Sequence, residues 1–164
     1  MRMLLLMITI CSTTAHAAGP VARWVEQRDA FKQVLVTKHH DSYCDWVRFT
    51  MLTWGAYLAA DHQGEIHNWT SGQVNACRHA IWQYQLVRAF DEDTAEAIGN
   101  AQERFSSHHM DSVIDEQNNE AARAMYRRHA VEHVQLGEAL QQIIDAVDQQ
   151  NEFFQTQISE PSSP

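Results

Sequence analysis

Apolar residues recur along this chain at helical spacing, and no stretch shows the alternation of a half-buried strand. From Gly19-Pro20, a stripe of Val21, Trp24, Val25, Phe31 and Leu35 predicts a first helix to about Val36, proline being tolerated in a first turn. Asp41-Ser42, with Asp45 three residues after the serine, caps a second helix over Tyr43 to Ala60. That segment is apolar almost all round (Trp46, Val47, Phe49, Met51, Leu52, Trp54, Tyr57, Leu58), the pattern of a buried helix. Asp61 to Gly72, polar and holding two glycines, reads as a loop. Thr70 with Gln73 caps a central helix to about Phe90, and Asp93 with Glu96 caps another to about Phe105. Ser106 to Asn119 has no clean period and reads as irregular or briefly helical. Tyr126, His129, His133, Leu136, Leu140, Ile143, Val147 and Phe154 then form a helical seam, with a bend or break expected at Gly137. The expectation is an all-α, single-domain bundle of five or six helices around a central helix, spanning 18–158, with a frayed tail at 159–164.

The central helix is unusual in its polar side. Val74, Cys77, Ala80, Ile81, Tyr84 and Val87 share one face of its wheel, while Asn75, Arg78, His79 and Trp82 gather opposite, joined by Leu86. A solvent face would not mix tryptophan and leucine among its charges, so both faces are expected to meet protein. Arginine is a fixed cation suited to carboxylate or phosphate, and histidine exchanges a proton near neutral pH. The pair Arg78-His79 beside Asn75 is therefore a candidate site, to be weighed against a polar network that only ties helices together.

Composition narrows the setting. A 45% hydrophobic, 20% charged chain is globular, and a formal charge of −9 gives no footprint for nucleic acid or for an anionic membrane surface. A small site on an acidic protein remains able to take an anionic substrate. Residues 1–17 stand apart: Arg2, an apolar run from Met3 to Ile10, then Ala15-His16-Ala17, the pattern of a bacterial export signal cleaved after Ala17. Ile10 before Cys11 disfavours a lipoprotein signal, and the run is too short to anchor in a bilayer. A periplasmic or secreted protein without a transmembrane segment in its mature chain is expected. Cleavage leaves Cys44 and Cys77, which in an oxidising compartment predict a disulfide worth about 3–4 kcal/mol.

Further elements join Arg78-His79: Ala101-Gln102-Glu103, then Asp115-Glu116-Gln117-Asn118-Asn119. Read singly, Glu103 is a solvated carboxylate and Asn118-Asn119 a helix cap with a turn. Together, Asn75-Ala76-Cys77-Arg78-His79-(x2)-Trp82, Ala101-Gln102-Glu103 and Asp115-(x2)-Asn118-Asn119 resemble a bacterial helical domain of secreted and polymorphic-toxin-like proteins. Its pattern is Asp/Asn-Ala-x-Arg-His, then Ala-His-Glu, then Asp-x-x-Asn-Asn with a following glycine. The resemblance covers about 50 residues and implies a polar pocket more than a particular reaction. Gln102 stands where that family has histidine, and Ala122 where the glycine is expected, so neither an imidazole ligand nor a proton shuttle is available at Gln102.

Two other patterns carry less. His129-Ala130-Val131-Glu132-His133 matches the inverted zinc-peptidase motif, but both histidines share a seam with Leu136 and Leu140, and few carboxylates follow to complete a site. His40-Asp41 resembles the base and calcium-binding pair of secreted phospholipases A2, without their calcium loop or disulfide pattern. The expected function is a hydrolase-like, toxin-like envelope protein. His79 would be general acid or base, Arg78 an anion binder and Glu103 or Asp115 the orienting carboxylate, while Asn75, Trp82, Asn118 and Asn119 would hold the substrate. No metal ligand is assigned and no cofactor expected, with a divalent cation left open. Partners would be an envelope component or a small anionic substrate. The alternative is a non-catalytic periplasmic adaptor or inhibitor-like module whose polar cluster is structural.

Overall fold

Thr70 opens the helix around which the others pack. Its hydroxyl accepts from the Gln73 backbone N–H while the Gln73 side chain accepts from the Thr70 N–H, the reciprocal cap expected from the sequence. The computed structural model describes residues 18–39, 43–105 and 109–149. They form six helices: α1 (Ala18–His39), α2 (Tyr43–His67), α3 (Ser71–Ala89), α4 (Glu92–Glu103), α5 (His109–Glu132) and α6 (Leu136–Asp148). No strand occurs among the described residues. Residues 1–17, read from the sequence as an export signal, the expected Asp41-Ser42 cap with His40, His108 and the residues from 150 lie outside them.

Helix α3 is the centre. It packs against α2, α4, α5 and α6, and Ala76, Cys77, His79, Ile81, Trp82, Gln83 and Leu86 are all buried, so both of its faces meet protein as expected. Helix α2 returns antiparallel along it: Arg48 donates to the Ala89 carbonyl near one end, Trp82 Nε1 donates to Thr53 Oγ1 midway, and Gly64 meets Val74 at the other end. Phe31 of α1 and Phe49 of α2 close over Trp82 as an aromatic core. Helix α6 covers the N-terminal end of α3, where Gln73 Nε2 reaches the Val147 carbonyl and Trp69 Nε1 donates to Asp148 Oδ1 at 2.7 Å. Trp69 thus seals the end of the bundle.

Several boundaries differ from the sequence expectation. Asp61–His67 continues α2 instead of forming a loop, and the helix stops where Asn68 takes φ 53° and Trp69 N–H donates back to the Gly64 carbonyl. Gly64 is a contact residue: a Cβ there would stand 2.5 Å from Val74 Cγ2, so its absence lets α2 and α3 approach. The cap of α4 is Asp91, which accepts from Thr94 N–H, two residues before the expected Asp93. The seam breaks at His133 (φ 57°), not at the exposed Gly137, with Val134 N–H donating to the His129 carbonyl. Helix α2 is not buried all round: Met51, Trp54 and Leu58 are 68%, 52% and 66% exposed. The reason is packing. Helix α3 covers one side, α1 touches α2 only lightly, and the remaining side has no neighbour among the described residues.

The predicted disulfide is not formed; Cys44 is an exposed free thiol and Cys77 a buried one. Arg78, next to Cys77, contacts Tyr57 and Asp61 of α2. With a rise of 1.5 Å per residue, Cys44 then lies about 20 Å along α2 from the level of Cys77, far beyond disulfide reach. Burial pushes the Cys77 thiol up to about 12, which makes it inert as a nucleophile.

Two measurements check this packing. An alkylating reagent is expected to modify Cys44 in the folded chain and to spare Cys77 until denaturant is added. Gly64→Ala should lower the melting temperature even though alanine is the better helix former, because overpacking against Val74 costs about 1–3 kcal/mol. Adding Val74→Ala to Gly64→Ala should recover part of the loss, a coupling that independent sites would not show.

Candidate functional site

Helices α3 and α5 run parallel, and three of the polar contacts between them form a ladder, each rung between residues 40 apart in sequence. Asn75 Nδ2 donates to Asp115 Oδ1 at 2.7 Å. One turn on, His79 Nδ1 lies 3.1 Å from Asn119 Oδ1, and a further turn on, Arg123 NH1 donates to Gln83 Oε1 at 3.3 Å. Asn75, His79 and Gln83 follow at i, i+4, i+8 on one helix, as do Asp115, Asn119 and Arg123 on the other, so each set lies on one face. The contacts sit in the interior: Gln83, Asn118, Asn119 and Arg123 are all buried.

This ladder explains why Ser106–Asn119 showed no period. Helix α5 is continuous from His109, and its inward face runs Ile114, Asn118, Ala122, Met125 and His129 in steps of three and four. Asn118 and His129 in that stripe, and the buried Asn119 and Arg123 beside it, are polar, so a hydrophobic pattern cannot display it.

Helix α4 lies across the ladder. Gly99 lets it in, since a Cβ there would stand 2.8 Å from Gln83 Nε2 and 3.3 Å from Asn119 Nδ2. One turn further, Glu103 reaches the His79–Asp115 level, where Ser112 hydrogen-bonds its carboxyl. His79 Nε2 stands 3.3 Å from Asp115 Oδ2. One donor atom from each of His79, Glu103 and Asp115 lies within 4.8 Å of the others, a set able to hold a metal ion. Glu103 Oε1 is buried with no hydrogen-bond partner among the described residues.

Electrostatics follow from this crowding. Burial, then the neighbouring Asp115 carboxylate, push Glu103 up to about 7. Burial holds His79 below the ordinary histidine range, opposed by Asp115 and by the Asn119 hydrogen bond. With the Asn119 amide oxygen accepting, the His79 ring donates from Nδ1 and presents Nε2 to the two carboxyl groups.

The residues singled out from the sequence are therefore sorted by the fold. His79, Glu103, Asp115, Asn75 and Asn119 converge from three helices. Glu103 is partly buried, against the solvated position its helix wheel suggests. Asn118, beside them on α5, is completely buried. Arg78 is turned to α2, with its guanidinium 4.3 Å from the Tyr57 ring centre and 3.1 Å from Asp61 Oδ1; one nitrogen also approaches Asn75 Oδ1 at 3.4 Å. Trp82 is core, 6% exposed, with its ring edge-on to His79 at 6.2 Å. Gln83, Arg123 and Ser112 were missed, although the i, i+4 repeat of polar residues after Asn75 and after Asp115 was a readable signal. His129 and His133 do not form a zinc-peptidase pair. His129 is buried between Tyr84 Oη and Gln142 Oε1, at 3.2 and 3.0 Å, whereas His133 is exposed in the turn beyond α5. A separate groove of about 520 Å³ lies beside the site, lined by Gln27, Phe31, Trp46, Trp54, Tyr57 and Gln102.

Cutting one step of the ladder should be felt throughout. Asn119→Ala removes the partner of His79 Nδ1 and leaves that buried group unpaired, at a cost of about 1–3 kcal/mol. The expected result is a lower urea midpoint with an unchanged slope.

Residues 33–151 match a family described as Domain of unknown function (DUF6973), a span that runs from the second half of α1 through α6 and takes in the whole ladder. No curated protein and no solved structure matches the chain. Since the match covers most of its length, the chain belongs to the DUF6973 family.

Proposed function

We propose that this protein is an exported hydrolase, toxin-like in kind, acting on an envelope component from a centre built on His79. The observation that carries the reading is the convergence of His79, Glu103 and Asp115 from three helices onto one partly buried point, with a Glu103 oxygen left without a partner among the described residues. A group of this kind suits activation of water: the imidazole accepts or relays the proton, and the carboxyl groups set its orientation and charge. Asn119 fixes the ring through Nδ1 and Asn75 fixes Asp115, so the reacting groups are held before substrate arrives. Arg78 places a cation beside the centre for an anionic group on the substrate. Export rests on the sequence pattern of residues 1–17. No described helix is long and apolar enough to cross a membrane.

A second reading, a non-catalytic envelope adaptor or inhibitor-like module, is favoured by one feature. Val47, Met51, Trp54 and Leu58 form an exposed apolar stripe at i, i+4, i+7, i+11 on α2.

Export of wild type and of His79→Ala to the periplasm of a test bacterium separates the readings. The hydrolase reading expects lysis, with altered lipid or peptidoglycan, by wild type and a loss of at least about 100-fold in the variant. Melting temperatures are measured alongside, because His79 is also a packed residue. Equal effects of the two proteins, or intact lipid and peptidoglycan with wild type, would sink it.

A further inference from the structure

We propose that His79, Glu103 and Asp115 bind one divalent transition-metal ion, of the zinc or manganese class, with Nε2 as the ligand atom of His79. The inference deepens the hydrolytic reading and rests on it only for the role of the ion; the ion's binding stands on the geometry below.

The first argument is the distance between donors. His79 Nε2 and Asp115 Oδ2 are 3.3 Å apart. A charge-assisted hydrogen bond between such groups closes to about 2.7–2.9 Å. Two ligands of one tetrahedral zinc ion, with bonds near 2.0–2.2 Å, stand about 3.4 Å apart. The observed separation matches shared ligation better than it matches a direct bond.

The second is the buried Glu103 oxygen. Oε1 has no hydrogen-bond partner among the described residues, and the carboxyl lies with the other two donors inside a 4.8 Å set. Three sets of lone pairs turned toward one point repel one another, and a cation at that point reverses the sign of all three interactions. An unpaired buried carboxylate oxygen is costly in the interior and is accounted for by an ion.

The third is the outer support. A metal-ligating histidine ordinarily donates its other N–H to a fixed oxygen, and ligating carboxylates are themselves hydrogen-bonded. His79 Nδ1 meets Asn119 Oδ1 at 3.1 Å, and Asp115 Oδ1 accepts from Asn75 at 2.7 Å. The second polar atoms of His79 and Asp115 are thus engaged by residues of the ladder, and the Glu103 carboxyl is hydrogen-bonded by Ser112. One imidazole and two carboxylates favour zinc or manganese over magnesium or calcium, which prefer all-oxygen shells. Three protein ligands leave a position open for water, whose proton the ion makes easier to remove. His79 is then a ligand, and the ion takes over the activation of water.

The test uses the purified full chain, stripped with EDTA and titrated with Co²⁺ as an optical probe and with Zn²⁺ in a calorimeter. One saturable equivalent per chain is expected, with Co²⁺ bands of a nitrogen–oxygen site of low coordination number. Glu103→Gln and Asp115→Asn should each abolish this binding, and Asn119→Ala should weaken it about 10–100-fold. His129→Ala should leave it unchanged. Paramagnetic broadening by Mn²⁺ of the His79 ring and Asn119 amide signals needs no substitution and holds even if a variant unfolds. The proposal is overturned if no saturable binding occurs, if folded Glu103→Gln and Asp115→Asn bind as wild type does, or if broadening is confined to other histidines. Binding is read without substrate, so its failure leaves the lysis assay standing, and a failed lysis assay leaves the binding isotherm standing.

Discussion

The polar ladder between α3 and α5 is the constraint on which the rest of the molecule depends. Three contacts, Asn75–Asp115, His79–Asn119 and Gln83–Arg123, lie where a helical bundle would ordinarily place leucine against leucine. A net hydrogen bond stabilises by only about 0.5–1.5 kcal/mol, whereas an orphaned buried partner costs about 1–3 kcal/mol. The ladder therefore constrains more than it stabilises. A register shift of α5 against α3 would strand several polar groups at once, so two parallel helices are held in one alignment. Apolar side chains alone would tolerate a slip far more readily.

The residues around the ladder back it with apolar side chains and bring a third helix to it. Gly99 allows α4 close enough for Glu103 to reach the His79–Asp115 level, and Glu103 supplies an oxygen that finds no partner among the described residues. Trp82, with Phe31 and Phe49, backs His79 with an apolar wall. Arg123, buried at the far end, is neutralised by Glu120 at 2.8 Å, so the charge it brings inside is matched by one at the edge. Of the candidate residues, those on the ladder acquire a common location, while Arg78 is shared with α2 and stands at the margin of the centre.

Legibility followed the chemistry of the buried faces. Where the inward stripe was apolar, as in α6 with Ile143 and Val147, the period was plain from the residues. The reciprocal cap at Thr70 and Gln73 was equally plain, because capping is a local interaction over four residues. Where the inward stripe was polar, at Asp115, Asn118 and Asn119, the same helical geometry was present but hydrophobic periodicity could not report it. Gly64 misled for a related reason: in sequence it weakens a helix, and only the neighbouring Val74 reveals it as the point of helix–helix contact. The cysteine pair misled because parity and compartment say nothing about distance along an antiparallel hairpin.

The sequence by itself determined the helical class, the central place of the segment around Arg78-His79, and the residue types that gather there. These follow from local periodicity and capping, which act over a few residues and need no knowledge of the fold. Only the tertiary structure decided which polar residues meet, that Glu103 turns inward, that Cys44 and Cys77 stay apart, and that one side of α2 is left uncovered by the described residues. Each of these depends on the order and direction in which helices pack, and a wheel drawn for one helix does not contain the position of its neighbours.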